Sequence, residues 1–360
     1  MSAVRTFAEI PAALLALADA QEGLLSVQQC DRNGVDHSRR TRRERAGLWR
    51  VAARGVVDTC PVLPGARSAS DLPQRPVAPL VVTDDATAWA RSREAWAAAR
   101  RSRSPADRLF DHLRRRSAWA GMLAYGPAAI AVASCALACH GVEGLPVHIA
   151  PEAALPTGSR RRSKAGVRLR QFDDGMMTVA FGDRRTGVRR IASAERALAQ
   201  AVPELPAMHG LAVLDSALRL EVVSRAGAAR AHDHARGRRG VAARHELWDL
   251  ADPRAESPLE SFGRWQCIEA GVPPDTLQRP VRDRHGRLLG VGDMAWELNG
   301  GGWLVVEMDG YTWHEGDAGR ARRDRDRDND FAAAGIHVLR FDARHVRERT
   351  VGTRVRSFLG

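Results

Sequence analysis

The strongest alternation of apolar and polar positions lies towards the C-terminal end. Residues 290–314, GVGDMAWELNGGGWLVVEMDGYTWH, predict two β-strands joined by a Gly-rich turn. The first ends near Asp293. The second is an apolar run from Trp303 to Val306 that delivers Glu307 and Asp309 at its far end. Acidic side chains at the mouth of a hydrophobic sheet are costly unless something cationic meets them. From about Glu246 the flanks extend this pattern. SPLESFGRWQCIEAG predicts a helix ending at Gly271, and LQRPVRDRHGRLLGVGDMAWEL and GWLVVEMDG predict strands of a meander. AGRARRDRDRDNDFAAAG predicts a helix stopped by Gly335, IHVLRF a short buried strand, and RHVRERTVGTRVRSFL a closing helix. The order is α-β-β-β-α-β-α.

At the other end, residues 8–20 carry an Ala/Leu-rich helical pattern, and LLSVQQCDRNGV a short helix and turn ending at Gly34. A basic helix follows from about Asp36 to Glu44, with Arg39, Arg40, Arg42, Arg43 and Arg45 around it and Gly47 at its end. LWRVAARGVV alternates as a two-stranded wing, with Trp49, Val51 and Val56 as inward positions. This is the order of a winged helix-turn-helix. It places Ser38, Arg39 and Arg42 towards a major groove and gives phosphate contacts to the flanking arginines, Arg40 and Arg43 among them. The competing reading is a solvated basic helix. Residues 61–76 read as a Pro/Ser/Gly linker, and 84–116 as arginine-rich helical material carrying Trp89 and Trp96. The middle is mixed: a helical pair, VHIAP as a strand, a basic loop from Gly158 to Lys164, VRLRQF and MMTVAF as strands, then IASAERALAQAV and GLAVLDSALRL as amphipathic helices.

The fold class expected is therefore a multidomain α/β protein. Its parts are a winged helix-turn-helix (1–60), an arginine-rich linker with helices (61–110), a middle mixed α/β domain (111–245) and a C-terminal α/β core of restriction-endonuclease type (246–360). A hydrophobic fraction of 44% in 360 residues supports packed cores of this number. The net charge of +12 points to a polyanionic partner, most simply nucleic acid. Its carriers are almost all arginine, Lys164 being the single lysine. Cys30, Cys60, Cys135, Cys139 and Cys267 are odd in number and scattered, so they read as buried core thiols in a reducing, cytoplasmic setting; Cys135, Cys139 and His140 lack a second ligand pair at zinc spacing. The start lacks the pattern of a signal peptide. Ser117–Val142 is long and uncharged enough to cross a bilayer, but its Ala/Gly/Ser content and Gly126-Pro127 break read as two buried helical pieces.

Glu260 on a helix, Asp293 at one strand end and Glu307 at the next give three acids on different elements. Hard oxygen ligands in small number suit Mg²⁺ or Mn²⁺ in a phosphodiesterase, leaving positions for water and phosphate. Glu260 has an alternative role in a capping box, SPLE with Pro at the first helical position, and Asp309 one in an Asp-Gly turn.

Residues 252–345 resemble the PD-(D/E)XK nuclease superfamily, specifically the family related to the very-short-patch-repair (Vsr) endonucleases. The match rests on SPLES with Glu260, VGDMAW with Asp293, VVEMDGYTWH with Glu307, Asp309 and His314, and RDNDFAAAGIHVLRF with Arg327, Asp328 and Arg340. The resemblance implies Asp293 and Glu307 as metal ligands, Glu260 as an accessory acid, and His314 as a catalytic or water-orienting histidine. Asp309 stands where the superfamily motif has lysine; by this reading it adds a ligand, and His314, Arg320, Arg323 or Arg327 replaces the lysine's charge. Residues 8–60 and 111–225 resemble the AbiEi-family antitoxins of type IV toxin–antitoxin systems, through GLLSVQQCDRNGVDHSRRTRRERAGLWRVAARGVV, VASCALACHGV and RRIASAERALA. That implies promoter DNA and a cognate toxin as partners. The functions expected are Mg²⁺-dependent cleavage of DNA or, alternatively, transcriptional repression by a protein whose nuclease fold is inactive. An RNA substrate is a third, weaker possibility.

Overall fold

The structure is a computed structural model. It describes residues 9–59, 105–156, 162–172, 177–183, 186–283, 285–309 and 330–360. The protein is mixed α/β with three sheets, and it divides into two compact units. One spans Met1–Gly141 and Pro146–Ala201, the other Val142–Leu145 and Val202–Gly360. The 61–76 linker lies outside the described residues, as do Cys60, Trp89 and Trp96.

The first unit opens with helix α1 (Ala12–Ala20), strand β1 (Leu24–Ser26), helices α2 (Val27–Arg32) and α3 (His37–Arg45), and a hairpin of β2 (Arg50–Ala53) and β3 (Val56–Asp58). The three strands pair in the order β1-β3-β2. Ser26 and Gln29 form a capping box that starts α2, and the Asp36 side chain caps α3 by accepting from Arg39 N at 2.8 Å. Leu14, Leu25, Val35, Trp49 and Val57 close a small core. Trp49 and Val56 point inward as predicted, but Val51 is exposed. A register shift between Val51 and Ala53 breaks the alternation, and Ala53 is buried instead.

A long helix, α4 (Pro105–Tyr125), follows. It is tied to the N-terminal elements through charge: Arg115 Nε and His112 Nδ1 each meet the Glu22 carboxylate at 2.5 Å, and Arg116 pairs with buried Asp58 at 2.6 Å. Burial by itself pushes the Glu22 carboxyl up. The charge of Arg115 and the bonds from His112 and Arg115 more than reverse this and hold it at about 2. Beyond α4 come β4 (Ile130–Ala131), α5 (Ala133–Cys139), β5 (Glu152–Pro156), β6 (Arg168–Phe172), β7 (Thr178–Phe181), β8 (Arg189–Ala192) and α6 (Ala194–Ala201). They build a five-stranded sheet ordered β6-β5-β4-β8-β7.

Ser117–Val142 thus holds two buried helices broken at Gly126 (φ 85°), and among the described residues no helix is long and apolar enough to cross a membrane. VHIAP is not a strand: the strand starts just after Pro151, at an Ala-rich segment covered on both sides by neighbours. The first residues of IASAERALAQAV belong to β8, and the helix begins after Ser193. Cys135 and Cys139 are free and buried, with thiols pushed up by burial, and His140 Nε2 is bonded to Ala192 O at 2.8 Å.

The second unit contains α7 (Ala207–Arg219), α8 (Arg225–Ala235), α9 (His245–Leu250), α10 (Pro258–Glu269), strands β9 (Thr276–Arg282), β10 (Leu288–Glu297), β11 (Trp303–Asp309) and β12 (Ile336–Asp342), and helices α11 (Ala343–Arg347) and α12 (Val351–Leu359). The sheet order is β12-β11-β10-β9, antiparallel except for the β11–β12 pair. β12 lies at the sheet edge and is half-buried rather than buried, with Phe341 its one fully buried residue. The closing helix is two helices. Buried Gln266 donates to Val346 O at 2.7 Å and accepts from Val351 N at 3.3 Å, so its amide replaces the backbone bonds lost at the break. Helix α10 is locked to α7 by Arg264, which grips buried Asp215 at 2.9 Å, with Ser261 Oγ and Asp252 N as further donors.

Candidate functional site

Helix α10 packs over β10 and β11, and the core on that side includes Leu277, Met294, Trp296, Leu304, Val306 and Met308. Gly263 makes the approach possible, since a Cβ there would meet the Met308 thioether at 2.8 Å. On the other face Val281, Ala295, Val305 and Phe331 form a second cluster. Gly292 backs onto this face, where a Cβ would overlap the Val305 side chain. The glycine one residue before Asp293 is therefore dictated by packing.

The β10–β11 ladder runs from Glu297↔Trp303 to Met294↔Val306 and stops. Beyond it, β11 continues to pair with β12 through Asp309↔Asp342, and β10 with β9 through Leu288↔Arg282. The two strands part at Asp293 and Glu307. The Asp293 carboxylate occupies the fork, where Oδ2 accepts from Met308 N at 2.6 Å. Glu307 is buried beside it and takes Arg340 Nε on Oε2 at 2.9 Å from the adjacent strand.

Glu260 reaches the same fork from the first turn of α10. Ser257 Oγ caps that helix by accepting from Glu260 N at 3.2 Å. The reciprocal half of the predicted capping box is displaced by one residue: Glu260 Oε2 accepts from Glu256 N at 2.8 Å rather than from the cap residue. The same oxygen accepts from Gln278 Nε2 at 3.0 Å.

These acids feel one another. Burial, then the Asp293 charge, pushes the Glu260 carboxyl up to about 7. Burial, then the Glu307 charge, pushes Asp293 up to about 6 against its bond from Met308 N. Glu256, exposed at the rim, adds to both. The structure brings Glu260, Asp293 and Glu307 together. Asp309 is exposed at the far end of β11. His314, Arg320, Arg323, Arg327 and Asp328 lie outside the described residues.

The chemistry of this donor set suits a hard divalent cation. It offers carboxylate oxygens whose mutual repulsion a cation relieves, and Mg²⁺ needs only one or two carboxylates with water. Among the described residues no group of three or more His, Cys, Asp or Glu is arranged to hold a metal ion. A cation here would rest on two carboxylates, Asp293 and Glu307, with water, and not in a closed cage.

Two neighbours take roles at the site that the sequence did not assign: Arg340 entered only as a matching residue of the Vsr-like resemblance, and Gln278 not at all. Arg340 belongs to the VLRF run, where its register opposite Glu307 is invisible until β11 and β12 are paired. Gln278 has φ 50° within a strand. That region costs a residue with a side chain about 1–3 kcal/mol, and such outliers gather at functional sites.

On α3, Ser38, Arg42 and Arg45 are exposed. Arg40 and Arg43 are buried: Arg40 pairs with Asp31 and donates to Val35 O, and Arg43 lies over the Trp49 ring. The Arg39 guanidinium is held by Gly34 O at 2.6 Å and Glu9 O at 2.7 Å.

A mixed α/β protein with a carboxylate cluster in a sheet fork is the class these features define. No protein-family model matches the chain. Two relatives from Mycobacterium tuberculosis are similar to it: Uncharacterized protein MT2308 of strain CDC 1551 and Uncharacterized protein Rv2248 of strain H37Rv. Each is 36% identical over 156 residues, which is 42% of this chain and 56% of the relative. The chain spans little more than half the length of these curated relatives.

Proposed function

We propose that the chain is a DNA-binding protein whose C-terminal part is a Vsr-like endonuclease that hydrolyses DNA phosphodiesters with Mg²⁺ or Mn²⁺. The observation that carries this reading is the fork between β10 and β11, where Asp293, Glu307 and Glu260 share one electrostatic field. Asp293 and Glu307 hold the cation. When bound, it polarises the phosphate and acidifies a water. Arg340, beside Glu307, meets negative charge growing on the phosphate oxygens and stands in for the lysine replaced by Asp309. Glu260, poised at about 7, exchanges a proton with the attacking water near neutral pH. His314 keeps the proton-shuttling or water-orienting role that the resemblance implies.

The N-terminal order helix–strand–helix–helix–hairpin supports a winged helix-turn-helix. In this reading Ser38, Arg42 and Arg45 face the groove and phosphates, and Arg40 and Arg43 hold α3 in place. A second reading is an AbiEi-like antitoxin or regulator with an inactive nuclease fold and a toxin partner. It is favoured by Asp309 in the lysine position.

The test is incubation of wild type and Asp293→Ala with supercoiled, linear and mismatch-containing DNA, and with RNA, with and without Mg²⁺ or Mn²⁺. Metal-dependent DNA cleavage should fall on the order of 100-fold or more in the variant. If both proteins retard DNA in a gel and neither cuts it, the regulator reading replaces the nuclease.

A further inference from the structure

Gln278 is the one described residue of the unit's sheet, apart from glycines, with a positive φ. A strand interior offers it no local reason: glutamine lacks the short side chain that lets Asn or Asp bond its own backbone in the left-handed region. The position is telling. Pairing between β9 and β10 is regular on both sides, Gly292↔Arg279 and Met294↔Leu277, which puts Gln278 opposite Asp293. Both strands also reset their faces here. Leu277 and Met294 pack on the helix side, whereas Val281 and the Gly292 backbone face the Val305 side. In a regular strand, residues an even number apart share a face. Leu277 and Val281 do not, nor do Gly292 and Met294. The irregularity turns the 278/293 pair out of alternation and towards the fork.

There the Gln278 amide does two things. Its Nε2 donates to Glu260 Oε2 at 3.0 Å, and from its place opposite Asp293 in the register it also lowers the Asp293 carboxyl against burial. An NH₂ group has two hydrogens, so one amide can serve two carboxylates that repel each other. It does this without adding charge. A Lys or Arg here would neutralise the pair and compete with a cation, and an aliphatic residue would let them separate.

We propose that Gln278 is a positioning residue: its amide holds Glu260 beside Asp293 and so presents the acids to a divalent cation. This rests on the cation-dependent reading of the fork. Partners that orient a metal's ligands typically account for 10- to 100-fold of its affinity.

The test is Mn²⁺ binding to the full chain, measured by calorimetry and by the electron paramagnetic resonance signal of free Mn²⁺, for wild type, Gln278→Gly and Asp293→Asn. Glycine accepts φ 50° without strain, so Gln278→Gly keeps the strand reset, and its Tm should equal or exceed that of wild type. Its Mn²⁺ affinity should nevertheless fall about 10-fold or more. Equal Mn²⁺ affinity in wild type and Gln278→Gly, with Asp293→Asn weakened, overturns the role of Gln278 alone. A wild type that binds no Mn²⁺ overturns the cation reading itself, and this proposal with it.

Discussion

Asp293 shows the conflict between stability and chemistry at the scale of one residue. Its carboxyl is raised from 3.8 to about 6, so between those values the folded protein holds a proton that the unfolded chain gives up. The sign follows: stability from this group falls as pH rises from about 4 through 6 and stays low above that. Glu260, raised to about 7, extends the loss to neutral pH. Asp293→Asn keeps an oxygen for Met308 N and removes the charge. The variant should therefore melt higher than wild type at pH 8 without divalent cations, by roughly 5 °C, and the gap should close near pH 4. Thermal melts across pH 4–8 check this. A variant that is less stable than wild type at pH 8 would make Asp293 a structural acceptor and nothing more.

At the scale of elements, α3 shows why charge on a helix is not yet a binding surface. Arg40, Arg43, Arg42 and Arg45 are the same residue type on one helix, but the two pairs do different jobs. The helical period turns the first pair to Asp31, Val35 O and Trp49 and leaves the second exposed. Arg42→Ala with Arg45→Ala should leave the Tm within a degree or so while reducing the salt slope of DNA binding by about two, one per phosphate contact. Arg40→Ala should instead cost about 1–3 kcal/mol by stranding the buried Val35 carbonyl oxygen. Titrations at several salt concentrations, set beside melts, separate the two; an unchanged slope in the double variant removes α3 from the interface.

The same scale explains what the sequence made legible. Apolar runs and caps before helices are local patterns, so the elements bearing Glu260, Asp293 and Glu307 could be placed from them; but Asp293 lies inside β10 and not at its end, because pairing with β9 and β11 carries the strand on to Glu297. The faces of the arginine helix, the Ala-rich strand Glu152–Pro156 and the exposure of Val51 depend on partners distant in sequence. Gln278 was least visible, because a glutamine in a strand has no compositional signal and its role comes from a backbone angle.

At the scale of the whole molecule, the acids in the fork pose a problem that the +12 charge answers. Without a cation, Asp293, Glu307 and Glu260 repel a phosphate backbone, so affinity for a polyanion has to come from basic residues elsewhere, and the exposed arginines of α3 belong to the other compact unit. In the proposed reading, binding and chemistry are then separable within one chain. Hydrogen–deuterium exchange on the full protein reads both at once. DNA added in chelator should slow amide exchange across residues 37–45 and leave 290–309 as in the free protein. Mn²⁺ alone should slow exchange around Met308, whose N–H is held by Asp293, and leave 37–45 unaffected. Mn²⁺ and DNA together should protect both segments, because neutralising the fork removes the repulsion that kept phosphate away from it. Protection of 290–309 by DNA in chelator, with none at 37–45, would reverse the assignment and make the unit that carries the fork the primary nucleic-acid contact.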